Sequence, residues 1–135
     1  MKFPWITFGT GLAAKALPAI RCAFRNGSTV LPGDVFAILD TGADSTVLPK
    51  QFASLLGFSN AHLAEITTNA VGGTVTTWKV RDVAGVAVNL GGFWLALPCL
   101  TFAERTPPLL GRDVIFANFD LWMRQGETEL RPRKK

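Results

Sequence analysis

Residues 36–49 read FAILDTGADSTVLP. The apolar run 36–39 suits a buried strand, yet the strand ends on an acid, Asp40. Thr41 and Gly42 follow at once, a second acid stands at Asp44, and Val47 and Leu48 then restore apolar character. A carboxylate at the end of a core strand is expensive unless it is hydrogen-bonded or does chemical work. Gly42 lets the backbone turn sharply and aim amide hydrogens at that carboxylate. The Thr41 hydroxyl is both donor and acceptor and can lock such a loop. A calcium loop would need several acids in close alternation, which this stretch lacks. The competing reading is a structural turn with a capping acid.

Outward from this stretch, the chain has 135 residues, 48% hydrophobic and 18% charged. That is enough for one domain with a real core, over 1–135, and it excludes a disordered chain. Gly, Pro, Val, Thr, Phe and Trp recur without a long helical period, so the composition is β-rich. The apolar excess leaves surface for a partner subunit to cover. The net charge of +4 gathers at the end, in Arg131, Arg133, Lys134 and Lys135. No aromatic residues alternate with these, so 131–135 reads as a solvated basic tail, with no nucleic acid expected. Cys22 and Cys99 lie in apolar surroundings and read as two buried thiols, with a disulfide as the alternative. Neither they nor the lone His62 have metal-site spacing. Residues 1–18 are interrupted by Pro4, Gly9, Gly11, Lys15 and Pro18, which suits an extension carrying a strand at 5–8 rather than a signal peptide. No run approaches the roughly 20 apolar residues of a membrane span. The expected location is the cytoplasm, away from membranes.

Further strands are expected at 19–24 and 35–40, with turns at 25–28 and 32–34. Leu48 and Pro49 open a short helix over 50–56, stopped by Gly57. Residues 64–80 form a β-branched, Thr-rich hairpin whose tip is Gly72 and Gly73. Its arms hold few large apolar residues, so it projects from the core. Strands 83–90 and 93–97 flank Gly91 and Gly92. Leu109 and Leu110 make a short buried strand, Gly111 a tight turn, and 112–118 a short helix. Strands 120–123 and 128–131 close the chain as a hairpin around Gln125 and Gly126.

Two blocks carry a specific resemblance. ILDTGADSTVLP resembles the active-site loop of the retropepsin-like aspartic proteases, single-domain relatives of pepsin. LLGRD, at 109–113, resembles that family's later signature of two apolar residues, glycine, arginine and a polar residue opening a short helix. They stand in the family's order, with a glycine-tipped hairpin between them, and the likeness spans roughly 19–131. It implies an all-β fold: a retropepsin-like closed barrel with a β-hairpin flap and one or two short helices. It also implies that Asp40 is catalytic and that Thr41 makes a hydrogen-bonded grip between subunits. Gly42 completes the catalytic loop, and with Ala43 lines it beside the substrate. Asp44 would contact substrate backbone and form a bidentate pair with Arg112. Val71, Gly72, Gly73 and Thr74 would form the flap tip over a bound peptide. Leu110, Gly111, Arg112 and Asp113 would support the site.

Pepsin-type chemistry needs two facing aspartates, and the chain has one Asp-Thr-Gly. The resemblance therefore implies a two-fold homodimer with Asp40 of each copy at the axis, acting on peptide or protein substrates and sensitive to pepstatin. No metal and no cofactor are implied. The alternative is a non-proteolytic peptide-binding or dimerisation domain of the same fold. Many flaps in the family carry an aromatic side chain, and this chain has no tyrosine. Trp78 either leans over the site or packs under the hairpin. Gly72 and Gly73 read either as a lid or as an ordinary turn. In retroviral members the chain ends interleave between subunits, which leaves the role of both ends open here.

Overall fold

A computed structural model describes residues 1–133. Lys134 and Lys135, expected in the solvated tail, lie outside the described residues. The chain begins with β1 (Lys2–Pro4), β2 (Ile6–Phe8) and β3 (Lys15–Leu17). In β4 (Ala19–Asn26), Ile20, Cys22 and Phe24 are buried while Arg21 is exposed, the two-residue period of a strand with one face on the core. β5 (Thr29–Val30) returns beside it through Gly27. β6 (Val35–Leu39) buries Val35, Ala37 and Leu39 and turns Phe36 outward. β7 (Thr46–Pro49), α1 (Phe52–Leu55), β8 (Leu63–Ala70) and β9 (Gly73–Val80) follow. Then come β10 (Val86–Leu90), β11 (Phe93–Ala96), β12 (Leu100–Ala103), β13 (Leu109–Leu110), α2 (Arg112–Asn118), β14 (Phe119–Arg124) and β15 (Glu127–Pro132).

The described residues form an all-β molecule with two short α-helices. Ten strands form one sheet in the order β11-β10-β4-β6-β13-β7-β12-β9-β8, with β5 alongside β4. β6 pairs antiparallel with β4 and parallel with β13, so two neighbours flank the strand that leads to Asp40. Phe24, Phe102, Leu48, Leu110 and Phe119 are fully buried beneath this sheet, joined by Val114 and Ile115 of α2. Each such side chain contributes about 1.5–3 kcal/mol by leaving water. Among the described residues no helix is long and apolar enough to cross a membrane.

Several expectations are corrected. Leu48 and Pro49 do not open a helix. They finish β7, where Leu48 is fully buried, and the helix is confined to Phe52–Leu55. Burying Leu48 between two neighbouring strands outweighs the helix-opening preference of Pro49. Residues 100–103 form β12, which pairs parallel with β7 and antiparallel with β9. Residues 1–18 hold three strands rather than one. β1 pairs in register with β15, while β2 and β3 form a separate two-stranded arm. Both cysteines are free, but only Cys22 is buried, and Cys99 is half-exposed. Burial pushes the Cys22 thiol up to about 12, while its Sγ lies 3.5 Å from the Val35 carbonyl.

Candidate active site

Asp40 stands one residue beyond β6, and the strand's end is held on both sides. The Leu39 amide donates to the Pro18 carbonyl at 2.9 Å, and the Ile38 amide donates to the Pro108 carbonyl at 2.9 Å. The Asp40 amide itself donates to the Leu110 carbonyl at 3.0 Å. A carboxylate attached to so fixed a backbone has a defined position. Beyond it the chain turns back: the Ala43 amide donates to the Asp40 carbonyl at 3.1 Å. This turn aims the Gly42 amide at the side chain, where it donates to Asp40 Oδ1 at 2.9 Å. A Cβ at residue 42 would stand 3.2 Å from that same oxygen, so glycine leaves the carboxylate room. Asp40 is half-buried, and Thr41 and Gly42 are exposed, so the carboxylate is tethered and still reachable.

The second block locks onto the first. The Arg112 amide donates to the Ala43 carbonyl at 2.9 Å, and the Arg112 guanidinium forms an ion pair with Asp44. The pair is joined through one Nη2–Oδ1 contact rather than a two-bond fork, and both side chains are largely exposed. Gly111 shows why this junction demands glycine. Its φ of −86° suits any residue, but an added Cβ would stand 2.3 Å from the Ser45 carbonyl carbon. The backbones of the Asp40 loop and of the turn before α2 are thus in direct contact.

Two features of this junction had no place among the candidate residues. Thr46 is fully buried, and its hydroxyl accepts from the Gly111 amide at 3.4 Å. Its sequence signal was parity: Thr46 shares a strand face with Leu48, and a polar group on a core face needs a partner. The other is Pro18, whose carbonyl braces Leu39 and which carries no side-chain signal for that contact.

Asp113 is half-buried in the first turn of α2. Its Oδ1 accepts from the Val114 amide at 2.8 Å, while Oδ2 is buried with no hydrogen-bond partner among the described residues. Desolvation pushes its pKa above the ordinary carboxylate value, and the charge of Asp44 adds to the shift.

The glycine-tipped hairpin is β8 and β9, with Ala70 opposite Gly73 and Val71-Gly72 at the turn. Gly72 and Gly73 have φ of 92° and 136°, conformations that L side chains rarely adopt. Val71, Gly72, Gly73 and Thr74 stand in solvent at its end. Trp78 lies at the hairpin's base. It faces Glu65 and Phe102, packs against the core, and carries the Lys50 ammonium 4.8 Å from its ring centroid. Of the two readings open for Trp78, the structure selects packing under the hairpin.

Residues 26–114 match the family model described as aspartyl protease. The structure resembles that of a retropepsin-like aspartic protease from Rickettsia conorii, with a TM-score of 0.63 at 17% sequence identity, covering 91% of this chain and 95% of that one. It also resembles the EIAV protease in complex with the inhibitor HBY-793, with a TM-score of 0.52 at 20% identity, covering 82% of this chain and 93% of that one. No curated protein sequence matches. The family match takes in both the Asp40 loop and the Gly111–Arg112 junction that braces it, and the chain belongs to the aspartyl protease family, with a retropepsin-like fold.

Proposed function

We propose that the protein is an aspartic endopeptidase that acts as a homodimer, with Asp40 from each copy as the catalytic pair. The observation that carries this reading is the tethered carboxylate itself. Asp40 follows a buried strand, accepts from the Gly42 amide at 2.9 Å, and remains reachable from solvent. One chain supplies one such acid, and the chemistry needs two. Carboxylates a few ångströms apart do not both ionise cheaply, so the pair shares one proton. The ionised Asp40 takes a proton from a water held between them, and that water attacks the peptide carbonyl carbon. The protonated Asp40 donates to the carbonyl oxygen. Collapse of the resulting diol returns a proton to the nitrogen and breaks the C–N bond.

The other residues take supporting roles in this reading. Thr41 grips the partner's loop, Gly42 and Ala43 line the substrate, and Asp44 contacts peptide backbone while Arg112 holds its position. Val71, Gly72, Gly73 and Thr74 close over the extended peptide. Leu110, Gly111 and Asp113 support the loop from beneath. The test compares wild type and Asp40→Asn on casein between about pH 3 and about pH 7, with pepstatin as a further arm. Sedimentation of the same samples reports the dimer. Cutting by wild type alone, stopped by pepstatin, is the expected result. A dimer that cuts nothing across the range would overturn the reading.

A further inference from the structure

The ten-stranded sheet ends on two unlike strands, β8 and β11. β8 sets Glu65, Thr67 and Asn69 along its length, polar residues suited to an edge in water. β11 reads Phe-Trp-Leu-Ala, with no charge and no proline to discourage a further strand, and it pairs only with β10 among the described residues. Its ladder phase is set by the Leu97 amide, which donates to the Val86 carbonyl at 3.0 Å. Antiparallel alternation then turns the backbone of Phe93 and Leu95 toward β10, and that of Trp94 and Ala96 to the open edge. The side chains divide by the same parity. Phe93 and Leu95 share one face, beside a cavity of about 360 Å³ that Phe119, Pro132 and Arg133 also line. On the other face, Arg25 of β4 stands in register with Ala87 and, through it, with Ala96. The small side chains leave its guanidinium a path to the edge, where it lies 4.3 Å from the Trp94 ring centroid. Phe93 and Trp94 are both exposed, and Arg25 forms no ion pair among the described residues.

We propose that β11 is a docking edge for an extended acidic peptide, which adds to the sheet as a further strand. The outward amides and carbonyls of Trp94 and Ala96 offer both donors and acceptors. A peptide backbone matches both; a polyphosphate backbone has no donors to give. A strand laid along this edge presents alternate side chains to the two faces. Those on the cavity side meet Phe93, Leu95 and Phe119, which selects apolar residues. Those on the other side meet the Trp94–Arg25 stack, which selects carboxylates, because Arg25 has none from its own chain. The recognised pattern is therefore acid-apolar-acid with a period of two. A second copy does not fit this pattern. Pairing β11 with β11 about a two-fold axis would bring two Arg25 guanidinium groups to one face of a junction only four residues long. β10 and β4 stand between β11 and β6, and the inference does not depend on the protease reading.

The probe is a fluorescein-labelled peptide of about eight residues that alternates Glu and Leu. Its control has the same composition with the Glu and Leu residues in two blocks. Binding is read by fluorescence anisotropy in an Asp40→Asn background, which keeps hydrolysis out of the measurement. The alternating peptide should bind at least about tenfold more tightly than the block peptide. Arg25→Glu should weaken binding of the Glu–Leu probe about tenfold or more and strengthen that of a Lys–Leu probe with the same period. Arg25→Gln keeps most of the stem over Ala87 and should shift affinity in the same direction, which covers the case in which the reversed charge disturbs the strand. Ala96→Pro removes an outward amide without taking a bond from β10, and should weaken binding about tenfold. Equal affinity for the two peptides, or unchanged affinity in Ala96→Pro, would overturn docking on this edge. Arg25 variants that bind as before would overturn the acidic partner. A wild-type dimer that Ala96→Pro dissociates would make a second copy the occupant, and the proposal would fall.

Discussion

At residue 111 the backbone of the Asp40 loop and the backbone at the start of α2 touch directly, Gly111 against Ser45. Gly111→Ala would drive a methyl group into the Ser45 carbonyl, where no flexible side chain can yield. The expected cost is about 1–3 kcal/mol of stability, the usual price of overpacking. Cutting should fall further than stability, because the displaced segment is the one that holds Asp40. Thermal melts and kcat/KM, measured together, check this; equal values for variant and wild type would sink it. Asp113 yields a prediction about pH. Its folded-state pKa lies above the reference 3.8, so its neutral form is the one the fold favours. Its stabilising contribution is complete below that reference value and is lost as pH rises through the raised one. Asp113→Asn does not titrate. The melting temperature of the variant relative to wild type should therefore climb from about pH 3 to about pH 7; a flat difference would show that the buried Oδ2 finds a partner.

The β8–β9 hairpin divides into two parts with different duties. Its outer half exposes Val71 and Val75, which nothing among the described residues covers. Its base is anchored by Trp78 against Phe102 and the core. Trp78→Ala should thus destabilise the fold by about 2–3 kcal/mol, somewhat below the range for a fully buried aromatic. Trp78→Phe should recover most of that stability. Denaturant midpoints for the pair decide the matter: unchanged midpoints with lost cutting would return Trp78 to a role over the substrate. The other glycine-rich turns need no lid function. Gly27 and Gly126, for instance, sit in ordinary reversals between paired strands.

For the whole molecule, the homodimeric proposal makes activity a property of pairs. Under that proposal Asp40→Asn should fold and pair as wild type does while lacking the acid. Mixed in equal amount with wild type at constant total protein, it should leave about a quarter of the dimers with two acids. Activity should follow that quadratic dilution after the mixture has equilibrated. A linear fall to half would mean that each copy works alone, and the homodimeric mechanism would have to be abandoned.

Most strands were legible because alternation in segments such as Ile20–Cys22–Phe24 reports one buried face without reference to the rest of the chain. The motif was legible too, since an acid closing an apolar strand is anomalous on local grounds and LLGRD supplied its counterpart. Residues 48–49 were misread because proline's local preference favours a helix start, while burial between β12 and β13 decides for a strand. β1 was illegible for the same reason: three residues that end in a proline carry no period, and only β15, more than a hundred residues away, makes them a strand. By itself, then, the sequence determined the all-β class, the Asp40 loop and its family. The tertiary structure decided where Trp78 packs, that Thr46 and Gly111 join the loop to α2, and which strand edge stays open. Local pattern reports which face of a segment avoids water; partners distant along the chain enter only when the backbone has folded and their distances become small.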